Sequence, residues 1–429
     1  MDSTFEVPGA ARRPMAALCS GTALMNAAMA MTSAAGTLAA ADRLGTGWGG
    51  VPNTAGIVGT GAGALLLTRA MRRTGRRRAF VLGYAVAAVG AGLAAAAVAR
   101  GDVALLCAGM LLLGLGNAAA QLSRYAAAEL RPPGRRGSAI GLVVAAAAVG
   151  AVGGPLLLDT SAELAGRLFD RHGAAVLAGP FLAGLLACVA ASAAAAGTPS
   201  GRPGSGARPS LRTLARVPAA RTALPVMATA QAVMVAVMTA APLHMHLHGA
   251  GLTAVGITLA AHTLGMFALA PVSGRLFDRY GARPVLLAGL ATLAGSAVLD
   301  ALLHGPVTRA TALFLLGYGW NLCFVGGSGM LARDLPESLR EHAEGAVDAA
   351  VWTIAAAASL LSTVLMSAGG HGMLAGAACV LTLWAARRVP SGRKGGEGEP
   401  GVPGEPVEPG VSGGGGPRSG PGRAAGGSS

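Results

Sequence analysis

One ionisable side chain in this sequence stands where it could carry protons. His262 lies about midway along an apolar run at about residues 253–273. An ionisable group in hydrocarbon is costly and is commonly functional, and imidazole changes its charge close to neutral pH. Because no aspartate or glutamate clearly lies at the middle of another apolar run, His262 is the predicted proton-coupling residue. The alternative is a neutral histidine bonded to a neighbouring helix.

Several polar side chains lie inside other apolar runs, where each needs a partner or a wet cavity. Asn117, Gln121 and Arg124 are spaced by four and three residues and therefore share one helical face. Such a stripe suits a water-lined pathway, and the alternative is a hydrogen-bonded seam from which Arg124 reaches a nearby surface. Methionines and aromatic rings suit a hydrophobic solute, although rings also pack interfaces. The predicted lining of a substrate cavity is Asn26, Asn117, Gln121, Gln231, Met238, Tyr318, Trp320 and Asn321.

Other kinds of site find little support in the sequence. The five cysteines lie at scattered positions in apolar runs, which predicts neither a disulfide framework nor a zinc site. His244, His246 and His248 alternate but have no acidic neighbour, so we expect no metal site there. Paired carboxylates, a nucleophile with its base, and a phosphate-binding loop are not found at a shared depth. We therefore predict neither an enzyme nor a cofactor.

The elements that must hold these residues are membrane-spanning helices. The chain is 53% hydrophobic and 12% charged, with a mean hydropathy of +0.56, whereas about 25% of residues are charged in soluble domains. A helix needs roughly 20 apolar residues to span a bilayer, and the chain offers about twelve such runs between Pro14 and Val389. The sequence predicts an all-α membrane protein with twelve transmembrane helices.

The net charge of +14 is distributed as a topology signal. Six arginines stand between positions 69 and 78, and others precede the first span, follow the fourth, fill residues 198–221 and follow the last. Positive charge concentrates on the cytoplasmic side of membrane proteins. We therefore expect both termini in the cytoplasm of a cell whose inner (plasma) membrane holds the protein, and no nucleic-acid partner.

A short charged loop, Gly274-Arg-Leu-Phe-Asp-Arg-Tyr-Gly-Ala-Arg283, lies between two apolar runs. Its spacing, Gly-x-Leu-x-Asp-Arg-x-Gly-x-Arg, resembles the loop motif of the major facilitator superfamily. The resemblance implies two pseudo-symmetric six-helix bundles around a central cavity, walled by the first, fourth, seventh and tenth helices, and transport by alternating access. It also implies a gating loop that contains Gly274, Asp278, Arg279, Gly281 and Arg283, with a first copy at Arg73, Gly75 and Arg77.

The first copy of the loop supports an internal repeat. An offset of 206 residues places Arg73 on Arg279 and Gly75 on Gly281, and an offset of 204 places Gly141 on Gly345. Two loops repeated at nearly half the chain length predict two homologous halves. On this basis Asn117 and Asn321 are expected to face each other across the cavity.

The two copies differ at one position. In the family, the acidic residue is thought to pair with a basic residue and a helix N-terminus across the two halves, as a latch that favours the outward-open state. The second copy has Asp278 there, and the first has Arg72, which would place a cation against a positive helix end. We expect the latch to depend on Asp278, and an ion pair between Arg124 and Asp348 to replace the missing acid.

The fifth span carries Gly150, Gly154 and Pro155, in a pattern that resembles the family's exporters. The arginine typical of many drug–proton antiporters is replaced by Met110. We predict proton-coupled export of a small amphipathic or hydrophobic organic molecule by a monomer in a lipid bilayer. The alternatives are metabolite uptake, facilitated transport by the same fold, and a membrane sensor that does not transport.

These expectations divide the chain into five parts. They are a cytoplasmic N-terminus at residues 1–13, a six-helix bundle at 14–197, a cytoplasmic linker at 198–221, a second bundle at 222–389 and a disordered cytoplasmic tail at 390–429.

Overall fold

The computed structural model describes residues 12–45, 48–169, 176–200, 217–247, 252–302, 305–335 and 337–390. All regular secondary structure in these ranges is helical. The first eleven residues, most of the predicted linker, His248 and the predicted tail beyond residue 390 lie outside them.

The first half contains seven α-helices. Gly75, at φ 85°, separates the second from the third, and the carboxylate of Asp102 accepts a hydrogen bond from the backbone N–H of Leu105 at the start of the fourth. The helices are α1 Arg12–Leu44, α2 Val51–Thr74, α3 Arg76–Arg100, α4 Val103–Glu129, α5 Arg136–Leu156, α6 Leu158–Phe169 and α7 Ala178–Ala195, with a 3₁₀ turn at Pro133–Arg135.

The second half contains six helices. The predicted span at about 253–273 is in fact two helices, because Pro271 has no N–H to donate and its ring crowds the carbonyl four residues earlier. The helices are α8 Pro218–Leu247, α9 Leu252–Phe267, α10 Ala270–Tyr280, α11 Ala282–Leu302, α12 Pro306–Asp334 and α13 Glu337–Ala386.

The helix α13 is too long for one passage through a membrane. Its 50 residues would extend about 75 Å in a straight helix, against a hydrocarbon core of about 30 Å. Ala358 and Leu361 line the same small apolar cavity as Leu374 and Leu381, facing the stretch of α8 at residues 232–237. A straight helix would place Ala358 and Leu381 about 35 Å apart, so α13 is not straight between Ser362 and Leu374.

Eight helices in the described ranges are long and apolar enough to cross a membrane, namely α1, α3, α4, α5, α7, α8, α11 and α12. The helix α2, the α9–α10 pair and α13 cover the other predicted apolar runs but do not meet this criterion, so the count of twelve passes stays a prediction. The chain is thus a multi-pass helical membrane protein.

The two halves repeat the same helix packing. A Cβ on Gly114 of α4 would overlap the Gly56 carbonyl oxygen of α2, and a Cβ on Gly317 of α12 would overlap the His262 carbonyl oxygen of α9. The offsets are 206 residues for α2 and α9 (56 to 262) and 203 for α4 and α12 (114 to 317). Such close approaches need small residues, as is usual between membrane helices.

The contact between the halves also follows the repeat. The helix α5 packs on α10, and α13 packs on α2. A Cβ on Gly141 would overlap the Ala270 carbonyl oxygen, and a Cβ on Gly345 would overlap the Thr68 side chain. Both contacts lie toward the end of the bundle that carries the turns at Gly75 and Gly281 and the starts of α5 and α13, which we call the arginine-rich end.

Candidate functional site

A cavity of about 240 Å³ lies between the two halves. Helices α1, α4 and α5 bound it on one side, and α8, α9, α12 and α13 bound it on the other. Of the residues predicted from the sequence, Asn26, Asn117, Gln121, Gln231 and Trp320 line it, together with Arg124.

The wall from the first half is polar but carries few free hydrogen-bonding groups. The hydroxyls of Thr22 and Ser123 are 2.8 Å apart, and Asn26 Nδ2 donates to the Thr22 carbonyl oxygen at 2.8 Å. Asn117 Nδ2 lies 3.4 Å from Thr60 Oγ1. In the described part of the chain Asn117 Oδ1 is buried without a hydrogen-bond partner. Asn117 lines the cavity, so a rotation of this amide would present an acceptor to a donor group on a bound solute.

The wall from the second half is aromatic. Trp320 stacks on Phe324 with ring centroids 4.5 Å apart and meets Phe267 edge-on at 6.2 Å. Its indole Nε1 donates to Gln231 Oε1 at 2.7 Å, which fixes the ring plane. Trp352 of α13 also lines the cavity. Phe267, Phe324 and Trp352 were not predicted, because aromatic residues in apolar runs look like ordinary packing until neighbouring helices are placed.

Three predicted lining residues lie elsewhere. Asn321 Oδ1 accepts from Ser273 Oγ and Asn321 Nδ2 donates to the Met266 carbonyl oxygen, both at 2.6 Å, so this amide joins α12 to the α9–α10 break. Met238 and Tyr318 are partly buried against the core and are not lining residues. The pairing of Asn117 with Asn321 is therefore wrong: the 203-residue offset of α4 and α12 makes Trp320 the counterpart of Asn117 (117 to 320).

His262 lies at the crossing of α9 and α12. Its side chain is 4% exposed and is not part of the cavity lining. Its Nδ1 is 3.0 Å from the Leu313 carbonyl oxygen, and because a carbonyl can only accept, Nδ1 carries the hydrogen. The bond to a neighbouring helix is thus present, and a role in proton coupling stays a prediction.

A buried ion pair forms the floor of the cavity. Arg124 Nη2 of α4 lies 2.5 Å from Asp348 Oδ1 of α13, and both side chains are 2% exposed. Arg124 Nε donates to Ser328 Oγ at 2.8 Å, and the guanidinium lies 4.1 Å from the centroid of Phe324. The two side chains that the sequence pairs are therefore in contact across the halves.

One buried acid was missed. Glu344 precedes Asp348 by one helical turn, is 2% exposed, and has an Oε1 atom without a hydrogen-bond partner in the described ranges. This charged stretch lies outside the apolar runs of the sequence, whereas α13 begins at Glu337, eleven residues before Asp348 (337 to 348). Glu344 therefore belongs to the packed helix and not to a charged loop.

The Asp278 carboxylate lies on the first turn of α5, across the interface between the halves. Its two oxygens accept from the backbone N–H groups of Gly137 and Ser138, each at 2.8 Å, and from the Ser138 hydroxyl. A negative charge at a helix N-terminus is stabilising. Gly274 packs directly against Gly137, where neither position has room for a Cβ.

The remaining loop residues differ in surroundings. Gly75 and Gly281 separate consecutive helices in each half and have φ values of 85° and 80°. Glycine is required at both positions, because residues with side chains rarely adopt a positive φ. The exposed residues are Arg73, Arg77, Arg279 and Arg283.

Arg72, the counterpart of Asp278, contacts a side chain and not the start of a helix. Its Nη1 contacts Nε2 of His342 on α13. The cation does not face a helix N-terminus as we expected, because α13 begins at Glu337 and the backbone N–H groups near His342 are bonded within the helix.

The glycine motif of the fifth span sets the packing of α1 on α5. A Cβ on Gly150 would overlap the Ala23 carbonyl oxygen, and a Cβ on Gly154 would lie 2.7 Å from the Ala27 carbonyl oxygen. Pro155 lies in the last turn of α5, which ends at Leu156.

Comparison with known proteins gives one consistent family. A sequence profile of the Major Facilitator Superfamily matches residues 15–360 and 223–412. The uncharacterized MFS-type transporter YddS of Bacillus subtilis is 29% identical over 385 residues, covering 82% of this chain and 86% of that protein. The riboflavin transporter RfnT of Brucella anthropi is 31% identical over 319 residues, covering 73% and 78%.

Solved structures agree on the fold. The human organic anion transporter MFSD10 (TETRAN) superimposes with a TM-score of 0.75 at 14% identity, covering 90% of this chain and all of that one. The transporter FucP in its outward conformation gives a TM-score of 0.66 at 15% identity, covering 89% and 100%. At such identities these likenesses concern the fold alone.

Proposed function

This chain belongs to the major facilitator superfamily, and we propose that it is a secondary active transporter that exports a small amphipathic or hydrophobic organic molecule in exchange for protons. The observation that carries the proposal is the cavity of about 240 Å³ between the two halves. Small-molecule sites are concave and largely apolar, with a few placed polar groups.

The chemistry of the walls favours a flat, uncharged or weakly charged solute. The aromatic wall can contact a ring, and Asn117 Oδ1 can accept one donor hydrogen bond. Arg124 lines the cavity but is engaged by Asp348. A dianionic solute would therefore compete with a buried ion pair for its counter-charge.

The conformation is consistent with an outward-facing transporter. The contacts of Asp278, Arg124 and Gly345 lie between the cavity and the arginine-rich end. The positive-inside rule places that end in the cytoplasm. We therefore propose that both termini lie in the cytoplasm of a cell whose inner (plasma) membrane holds the protein, and that the protein is a monomer that works by alternating access.

Coupling to protons is assigned to His262, the ionisable residue buried at the α9–α12 crossing. His262→Ala is expected to abolish pH-driven accumulation of the solute while downhill exchange of the solute continues. Retention of pH-driven accumulation would assign coupling to another group.

The test begins with a thermal-shift screen of aromatic and amphipathic solutes against the purified full chain. A solute that stabilises the protein is then offered to vesicles of known orientation under an imposed pH gradient. Export coupled to protons predicts accumulation in inside-out vesicles that are acidic inside, and its collapse with a protonophore. Binding without flux would instead identify a sensor.

A second candidate is uptake of a flavin-like molecule. Its support is the relative named a riboflavin transporter, 31% identical to this chain, together with the aromatic wall. Right-side-out vesicles loaded with unlabelled riboflavin should then take up labelled riboflavin by counterflow. Accumulation in inside-out vesicles alone would favour export.

A further inference from the structure

The gate at the arginine-rich end contains two latches that occupy equivalent places in the repeat. The aspartate latch joins Asp278 to Gly137 and Ser138. The histidine latch joins Arg72 to His342. The repeat offsets relate them, 206 residues for Arg72 and Asp278 (72 to 278) and 204 for Ser138 and His342 (138 to 342).

The chemistry of the histidine latch depends on the protonation of one ring. A guanidinium has only donors, so His342 Nε2 must be the acceptor in its contact with Arg72. The ring is then neutral, with its hydrogen on Nδ1. An imidazolium has no acceptor and carries the same charge as Arg72, so the contact cannot survive protonation.

We propose that the Arg72–His342 contact is a pH-sensitive latch that holds the arginine-rich end closed while His342 is neutral and releases it when His342 takes up a proton. The proposal deepens the alternating-access function proposed above, on which it rests for its physiological meaning. The aspartate latch differs, because its carboxylate is held by two backbone N–H groups and a hydroxyl and its contacts include no imidazole.

Charged groups of both signs surround the histidine latch. The end of α2 is cationic, and the start of α3 adds Arg76, which pairs with Glu129 of α4 at 2.5 Å. Glu344, which is buried, and Arg340, which donates to the Leu335 carbonyl oxygen, lie on the same helix as His342. The like charge of Arg72 opposes protonation of the His342 ring while the two side chains are in contact. The described ionisable groups on these elements are Arg69, Arg72, Arg73, Arg76, Arg124, Tyr125, Glu129, Arg340, Glu344 and Asp348.

The sign of the pH effect follows from proton linkage. The closed state binds one proton fewer at His342 than the open state, so lowering the pH favours opening. We expect the ratio of open to closed molecules to rise about tenfold between pH 8 and 5, the range over which imidazole changes charge and within the usual size of such couplings.

The experiment is a spin-label distance measurement on the full chain in nanodiscs. The five native cysteines are replaced, and labels are attached at Gly134→Cys and Pro284→Cys, two exposed positions at the arginine-rich end of opposite halves. A Cβ at Gly134 meets no other atom within 4 Å, so the label should not disturb the connection. Acidification should move molecules from the short to the long distance.

Three variants test the assignment. His342→Gln keeps an acceptor that cannot titrate, so the short distance should persist at every pH. His342→Lys should give the long distance at every pH, and Arg72→Gln should remove most of the pH response. Asp278→Asn is the matched control on the other latch: it should favour opening at every pH but leave the response to acid in place.

An unchanged distance distribution in the wild type over this pH range would overturn the proposal, as would a His342→Gln variant that responds like the wild type. Monodisperse elution of each variant serves as the folding control. The measurement uses no solute, so absent transport with an intact pH response would reject the proposed function and leave the latch standing.

Discussion

Arg124 both lines the cavity and joins the two halves through its ion pair with Asp348. It contacts Asp348 and Ser328 from the second half and lies over the rings of Phe324 and Tyr125. Removing one partner of a buried ion pair leaves a charge that neither water nor protein satisfies, whereas replacing both with apolar groups is often neutral.

Asp348→Asn is therefore expected to destabilise the protein by about 3–5 kcal/mol. The double variant Arg124→Met with Asp348→Leu should recover most of that loss, although it should not transport. Denaturant unfolding in detergent measures both. Equal losses in the single and double variants would mean that the pair stabilises the fold through more than mutual neutralisation.

The two asparagines provide a matched pair of variants. Asn117 Oδ1 lacks a partner in the described ranges, while Asn321 uses both ends of its amide. Asn117→Leu should leave stability nearly unchanged and weaken a donor-bearing solute by about tenfold, which is close to one neutral hydrogen bond. Asn321→Leu should cost about 1–3 kcal/mol of stability, because it removes the shorter hydrogen bond of Ser273 and the donor to the Met266 carbonyl oxygen. The opposite ranking, seen by unfolding and by solute titration, would contradict the assigned cavity wall.

At the scale of single residues the sequence was only partly informative. Asn26, Asn117, Gln121, Gln231 and Trp320 could be predicted because polar or bulky residues in apolar helices are conspicuous. The place of Asn321 could not, since a one-residue difference in offset rotates a helical side chain by about 100°. The difference arises because the connections between helices differ in length between the two halves, and the sequence alone does not show where each connection begins and ends.

At the scale of helices, the architecture depends on glycine contacts. The contacts of α2 with α4, α9 with α12, and α5 with α10 each place a glycine against a carbonyl oxygen. Close backbone approach replaces the hydrophobic effect as the source of helix association in lipid. Alanine-rich helices with little amphipathicity can pack in this way, because their contacts come from small residues and not from an apolar stripe.

Gly114→Ala should disrupt the crossing of α2 and α4, because the added Cβ would overlap the Gly56 carbonyl oxygen. We expect a loss of at least about 2–3 kcal/mol, in line with overpacking of a tight core. Gly295→Ala is the control, since its Cβ meets no atom within 4 Å and alanine is the better helix former by about 1 kcal/mol. Thermal melting of the two purified variants compares them directly, and equal melting temperatures would argue against a tight crossing.

Most spans could be predicted from apolar length, and the departures have local causes. Pro271 divides α9 from α10, a break that a hydropathy average does not register. The acidic residues at the start of α13 fall outside the apolar runs, yet Glu344 is buried within the helix. The helix α6, Leu158–Phe169, follows α5 and contains charged residues, so apolar length does not detect it.

At the scale of the whole molecule, the interface between the halves decides which end is open. Asp278 bonds to the first turn of α5, and its removal leaves two N–H groups at that helix end without a charged acceptor. The repeat made this interface predictable, because equivalent loops must meet equivalent helices. The partner of Arg72 in the histidine latch was not predictable, since it depends on where α13 begins.

Asp278→Asn is expected to shift the protein toward opening at the arginine-rich end. A single cysteine at Thr68→Cys, which lies against Gly345 in the seam between α2 and α13, should then react several-fold faster with a water-soluble maleimide. Glu163→Gln is the control, because its ion pair with Arg167 is exposed on α6 and is not part of the contact between α2 and α13. An unchanged labelling rate in Asp278→Asn would contradict a latch at this position.

The placement of the tryptophans gives the molecule an intrinsic optical probe. Of the four tryptophans in the chain, Trp320 and Trp352 line the cavity, while Trp48 and Trp384 are 58% and 44% exposed on the periphery. Replacing the two peripheral indoles with phenylalanine would leave tryptophan emission only from the residues that line the cavity. Occupancy and rocking of the halves could then be followed as quenching or spectral shifts in unlabelled protein, in real time.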